Sequence, residues 1–308
     1  MNQAWHSLPG KADVLSTGNE AYIVFVGTCA LHVVHIGYSH QSKQYNHQRT
    51  ADLPIPENCH DIETATITQD SKNEYWVCAD MNEKIMVWHS FNGSDWSDPT
   101  TLADNFNEDD ISLVVRLKGE ISAIWSNQNT QSIMERIHYD GDAPDHWSAP
   151  VVVQEGDHNA DDHLNATVFE NGELALVTKN SVDKINQPQF VFRIRDTTGT
   201  WTNIPYENLT AQKSPSRPII NHVESGKIVE AHSVRDREHN RYYISVNEIV
   251  EKEDGWEFTE LIRLKTRING KNGDVTSSKA VFLPNEAKFI FFSDDLGNVY
   301  SFDLDTIL

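Results

Sequence analysis

Six short apolar runs recur along the chain: YIVFVG (22–27), YWVCAD (75–80), ISAIWS (121–126), LALVTK (174–179), IVEAHS (228–233) and FIFFSD (289–294). Their starts are 53, 46, 53, 54 and 61 residues apart. Each run is rich in β-branched or aromatic residues, and most follow a turn signal such as Asn171-Gly172 or Ser225-Gly226. Alternating stretches such as KIMVWHS, SIMERIHY and FVFRIRD come next. A third element of the form Trp-x-x-(x)-Pro closes the unit: WSDP (96–99), WSAP (147–150) and WTNIP (201–205), with Trp256 marking the same place without its proline. Four short strands in about fifty residues are the signature of a β-propeller blade. A solenoid would need atypical capping repeats, and none is visible. The expectation is an all-β, six-bladed β-propeller in a single domain over residues 1–308. AWHSLP (4–9) resembles the outer strand that the last unit lacks, so the N-terminal strand is expected to close the last blade and cover its open edge. The tryptophans that recur in four of the units, three of them beside a proline, are read as packing between blades rather than as sugar platforms.

Composition narrows the partners. The formal charge of −21 argues against nucleic acid, whose phosphates need a basic surface. No run of about 18 apolar residues is present, so no membrane-spanning helix is expected. The opening MNQAWHSLPG has neither a basic nor an apolar leader region, which leaves cytoplasm or a secreted chain with its leader removed. A monomer is expected. Three cysteines, Cys29, Cys59 and Cys78, without CxxC spacing argue against a disulfide framework or a zinc site.

The apolar runs are read as inner strands, and the polar stretch before each as facing a central channel. These stretches are KADVLS, CHDIETAT, NEDDISLV, DDHLNATVF, SPSRPIIN and DVTSSKAV. Their ionisable groups differ from unit to unit, whereas the tryptophan repeats unchanged. Carboxylates and histidines on one side, with Arg217 and Lys279 on the other, suit a polyhydroxylated or anionic ligand. The candidate catalytic residues are Asp61, Asp110, Asp162 and His163. The candidate substrate-binding residues are His60, Asp109, Asp161, Arg217 and Lys279. In DDHLNATVF, strand alternation puts His163, Asn165 and Thr167 on the channel face and Leu164, Ala166 and Val168 between blades.

SFNGSDW (90–96) and DTTGTW (196–201) resemble degenerate Asp boxes, the structural turns of sialidase-like propellers. DDHLNA, SRPI and TSSK, in that order over about residues 160–295, resemble the DDH-(I/L)-N, TRP-(I/V) and TSTK motifs of bacterial propeller proteins related to the sialidase superfamily. That resemblance implies an architecture and a site location, not a reaction. Sialidases also use an arginine triad. Here only Arg217 falls at a channel entrance, and no Arg-Ile-Pro motif opens the first unit, so sialic-acid cleavage is not expected.

The chemistry expected is carbohydrate-active. Paired carboxylates among Asp61, Asp110 and Asp162 could hydrolyse a glycosidic bond while Arg217 or Lys279 orients the sugar. A lyase acting on a uronic acid would use His60 or His163 as base, with Arg217 neutralising the carboxylate. A lectin or protein-interaction module would use the same pocket without turnover. No cofactor is expected. Calcium in an acidic channel is conceivable, but no Asp-x-Asp-x-Asp-Gly loop is present. His158, Asp161 and His163, within six residues of one loop, match no common zinc geometry.

Overall fold

The computed structural model describes residues 12–303, apart from 105–109, 157, 183, 185, 207–208, 225–226, 240, 254, 266–274, 278–280, 283–287 and 295–298. Strands and turns make up the architecture; no helix occurs among the described residues. Five four-stranded antiparallel meanders follow one another. The first is β1 (Ala12–Thr17), β2 (Glu20–Gly27), β3 (Ala30–Ser39) and β4 (Gln44–Asp52). The second is β5 (Ile62–Gln69), β6 (Tyr75–Met81), β7 (Lys84–Ser90) and β8 (Thr100–Asp104), and the third β9 (Ser112–Leu117), β10 (Glu120–Asn127), β11 (Ser132–Tyr139) and β12 (Val151–Glu155). The fourth is β13 (Leu164–Val168), β14 (Leu174–Lys179), β15 (Phe190–Arg195) and β16 (Trp201–Pro205). The fifth is β17 (Pro215–Glu224), β18 (Lys227–Asp236), β19 (Arg241–Lys252) and β20 (Gly255–Lys265). First strands adjoin one another around the molecule: β1 lies against β5, β5 against β9, β9 against β13 and β13 against β17.

This is a β-propeller, but the expectation of six blades is corrected to five. The last repeat yields β21 (Val275–Ser277), β22 (Val281–Phe282), β23 (Lys288–Asp294) and β24 (Val299–Asp303). Strands β21 and β22 both pair with one edge of β23, and β24 pairs with the other, so among the described residues this sheet is three ranks wide. It sits between β17 and β1. The run FIFFSD reads as a whole unit, yet the described residues before it pair with β23 only over Val275–Ser277 and Val281–Phe282. The segment expected to close that blade, AWHSLP, lies outside the described residues.

A second correction concerns strand rank. The apolar runs are the second strands (β2, β6, β10, β14 and β18), and the polar stretches before them form the first strands. Second strands are sandwiched between neighbouring blades on both faces, so they read as continuous apolar runs; every residue of β6 is buried. First strands have a different problem. Adjacent ones approach without forming a ladder, and their buried N–H groups still need acceptors. Polar side chains supply them: Ile67 N–H donates to Asp13 Oδ2 (2.9 Å) and Val114 N–H to Thr66 Oγ1 (2.9 Å).

The core is a series of seams between blades. Tyr22, Val24 and Leu31 pack against Ile62, Ala65 and Val77 across the first seam. Trp76, Cys78 and Ile85 meet Val114, Ile121 and Trp125 across the second. Leu113, Ile124 and Ile133 meet Leu164, Leu174 and Leu176 across the third, and Phe190, Phe192 and Val177 meet Ile220, Ile228 and Ile249 across the fourth. Trp96, Trp147, Trp201 and Trp256 each pack from their own blade into the seam with the preceding one, the packing position expected of them. In the Asp-box-like turns, Asn92 Oδ1 accepts from Ser94 N and Asp95 N, and Asp196 Oδ1 accepts from Thr198 N and Thr200 N. Asn92 thus does the work of the usual aspartate.

The cysteine reading is also overturned in part. Cys29, in the β2–β3 turn, and Cys59, on the approach to β5, form a disulfide with Cα atoms 5.6 Å apart. It staples the first blade to the second. Cys78 is free and buried, a small core residue.

Candidate functional site

The approach to β13 gathers three ionisable side chains around one imidazole. Lys179, the last residue of β14, donates its backbone N–H to His163 O (2.9 Å), so the ladder runs one pair beyond β13 and fixes His163 against the second strand. His163 Nδ1 lies 2.8 Å from Asp161 Oδ1 and is also paired with Asp162 Oδ1. Its other nitrogen, Nε2, lies 2.8 Å from Ser216 Oγ on β17, in the next blade. Asp161 is held from the far side by Lys179 Nζ, at 3.0 and 2.9 Å from its two oxygens, and by Ser181 Oγ at 3.5 Å. Two carboxylates facing Nδ1 require a proton there. In the neutral ring Nε2 is therefore the acceptor and Ser216 the donor.

Asp161 and Asp162 are neighbours in sequence but unlike in chemistry. Burial alone would raise the Asp161 carboxyl, yet hydrogen bonds from His163 and Asp162 and the Lys179 charge hold it well below the ordinary carboxylate range. Burial raises Asp162, and the adjacent Asp161 carboxylate adds to this while His163 opposes it; the net shift is upward. For His163 burial disfavours the charged form, but the two carboxylates outweigh it and the net shift is again upward. The Asp162 side chain is 34% exposed and that of His163 14%, so the more open carboxyl is the one that holds its proton longer.

The face expected to line an open channel is instead a seam. Asn165 Oδ1 accepts from Ile220 N (3.0 Å) and Thr167 Oγ1 from His222 N (3.1 Å), both on β17. His163, Asn165 and Thr167 do share one face, as alternation requires, but that face is tied to the fifth blade. Leu164, Ala166 and Val168 pack toward the third blade, as expected.

The remaining candidates fall in several places. Asp110 is fully buried and accepts from Gln128 N with both oxygens (3.0 and 3.2 Å), the geometry of a backbone anchor. His60 and Asp61 are exposed on the approach to β5, two blades from β13; His60 N donates to Asn82 Oδ1 (2.9 Å). Arg217 follows Ser216 in β17, with φ at 54°. Asp109 and Lys279 lie outside the described residues. Sequence reasoning missed Lys179 and did not single out Ser216 as the partner of His163. The available signal for Lys179 was a charge closing the otherwise apolar run LALVTK.

Ligand atoms of Asp161, Asp162 and His163 lie within 4.8 Å of one another. They are turned onto a shared proton and onto the Lys179 ammonium, which already neutralises the ionised carboxylate. The donor set therefore does not fit a bound calcium.

No family model and no curated protein matches this chain. Solved structures do. The NanB sialidase from Streptococcus pneumoniae superimposes on 99% of this chain and 70% of its own, with TM-score 0.65 at 9% identity. The α-L-arabinanase of Penicillium chrysogenum, solved with arabinobiose, covers 97% of this chain and 94% of its own, with TM-score 0.63 at 12% identity. A protein of unknown function from Dyadobacter fermentans covers 95% and 93%, with TM-score 0.58 at 12% identity. Identities this low speak for the fold alone, and the fold shared with these structures is a β-propeller.

Proposed function

We propose that this chain is a carbohydrate-active propeller that cleaves glycosidic bonds at the approach to β13, with Asp162 as proton donor. One observation carries the reading: of two adjacent carboxyls, Asp161 is clamped by Lys179 Nζ and His163 while Asp162 is the more open and has no lysine partner among the described residues, a difference that favours the ionised form of Asp161 and the protonated form of Asp162. Glycoside hydrolysis needs such a division, one carboxyl protonated to meet the leaving oxygen and another ionised. Asp161 is committed to Lys179 and His163, so it orients and charges the centre rather than attacking the sugar. Asp61, the exposed carboxylate on the β5 approach, is the candidate assigned as base or nucleophile, and Arg217, beside Ser216, is assigned to orient the sugar. The sialidase and arabinanase among the similar structures support the same class of ligand.

The test is incubation with a panel of neutral and acidic oligosaccharides, followed by assay of new reducing ends and of unsaturated products. New saturated reducing ends support hydrolysis. Unsaturated ends would move the role of His163 to that of a lyase base. Binding with no product would make the protein a lectin, and no response to any glycan would overturn the carbohydrate reading.

A further inference from the structure

We propose that Ser216 is a nucleophile activated by His163 and Asp161, and that the site cleaves carboxylic esters, short acyl groups carried on a sugar hydroxyl. The carbohydrate half of that substrate rests on the function proposed above; the nucleophile does not.

The geometry is that of a hydroxyl, an imidazole and a carboxylate in line. Ser216 Oγ is 2.8 Å from His163 Nε2, and His163 Nδ1 is 2.8 Å from Asp161 Oδ1. Nucleophile, base and orienting group each lie within hydrogen-bond reach of the next. Asp161 is itself held in place by Lys179. The three come from two blades: Asp161 and His163 precede β13, and Ser216 is the second residue of β17.

Two features separate this contact from a merely structural tie. The other links from the same face, Asn165 to Ile220 and Thr167 to His222, end on backbone N–H groups that would otherwise be unpaired. The His163 link ends on a side-chain hydroxyl. The backbone at Ser216 is also irregular. Pairing of β17 with β18 jumps from Ser216 to Ile219, and Arg217 adopts a left-handed φ of 54°, uncommon for a residue with a side chain. Such bulges re-aim the side chain beside them, and strain of this kind gathers at functional sites.

The chemistry balances with water as the only co-reactant. Ser216 Oγ attacks the ester carbonyl carbon as its proton passes to His163 Nε2. The carbonyl C–O bond to the sugar breaks, and the imidazolium returns the proton to the departing sugar oxygen. Water then attacks the acyl-Ser216 carbonyl, gives its proton to Nε2, and releases the carboxylic acid while the serine oxygen is reprotonated. Asp161 keeps the Nδ1–H tautomer throughout and stabilises the imidazolium.

The test uses the full chain with an aryl phosphonofluoridate, followed by peptide mass mapping, and with p-nitrophenyl acetate, neither of which contains a sugar. The phosphonate is expected on Ser216. Release of p-nitrophenolate should fall roughly a thousandfold in Ser216→Ala and in His163→Ala. Absence of label on Ser216, with a serine hydrolase control fully labelled, would overturn the proposal, as would wild-type ester turnover in a folded Ser216→Ala. Labelling at Ser216 without cleavage of any oligosaccharide would sustain this inference while removing the glycosidic one.

Discussion

His163 Nε2 and Ser216 Oγ meet at 2.8 Å across the seam between the fourth and fifth blades. Two residues further along, the same strand face holds the fifth blade through Asn165, and two beyond that through Thr167. A single polar face thus joins two blades at its lower rungs and carries the reactive imidazole at its top. The position of Ser216 relative to His163 depends on those rungs.

Asn165→Ala removes the acceptor of a buried amide, Ile220 N–H. Leaving that donor unpaired should cost about 1–3 kcal/mol in urea unfolding. A loss below about 0.5 kcal/mol would show that the seam does not rely on this rung.

Acid and base chemistry at the site should follow opposite pH trends. Glycosidic cleavage needs Asp162 protonated, so its rate should fall as pH rises through the elevated value of that carboxyl. Ester cleavage needs neutral His163, so its rate should rise with pH through a value above 6.5. Asp161, Asp162 and Lys179 are the charged groups facing the ring, and the two carboxylates dominate. Because folding raises the His163 value, the stability from its charged form is fully present below about pH 6.5 and is lost as pH rises through the folded value. The destabilisation by His163→Ala should therefore be greater at pH 5.5 than at pH 9. A pH-independent difference would contradict the ion-pair geometry.

Asp110→Ala should act on stability rather than turnover. Its carboxylate is fully buried and caps Gln128 N–H, so truncation should cost about 1–3 kcal/mol while the folded fraction keeps its activity. Normal stability with abolished turnover would place Asp110 in the catalytic machinery instead.

The Cys29–Cys59 link closes a sequence separation of 30 residues between two blades. Cys29→Ser should lower stability by about 2–4 kcal/mol, with wild type under reductant showing a similar shift. An unchanged denaturation midpoint in both would mean that the staple is energetically silent.

Much of this was legible in the sequence because the driving patterns are local. Second strands such as YWVCAD and LALVTK are buried on both faces and announce themselves as apolar runs. The alternation in DDHLNATVF correctly separated Leu164, Ala166 and Val168 from His163, Asn165 and Thr167. What escaped depends on pairing between distant segments. The apolar runs give period but not rank, so the sequence alone does not tell a second strand from an inner one. FIFFSD shows one good strand without showing how little described pairing precedes it, Val275–Ser277 and Val281–Phe282. Cys29 and Cys59 are unremarkable until a turn and a loop from two blades come together. The burial of Asp110 against Gln128 N was likewise not legible, because the two are 18 residues apart. Ser216 stands 53 residues from His163, and only the approach of β13 to β17 makes them partners.

Asp162 as proton donor is the central claim, and kcat for oligosaccharide cleavage by Asp162→Asn tests it most directly. The amide keeps the shape of the side chain but cannot donate the proton, so kcat should fall at least about a hundredfold while oligosaccharide affinity stays within a few fold. A substrate with an activated aryl leaving group, which needs little protonation, should recover much of the lost rate. Wild-type kcat in Asp162→Asn, or equal losses on natural and activated substrates, would contradict the assignment.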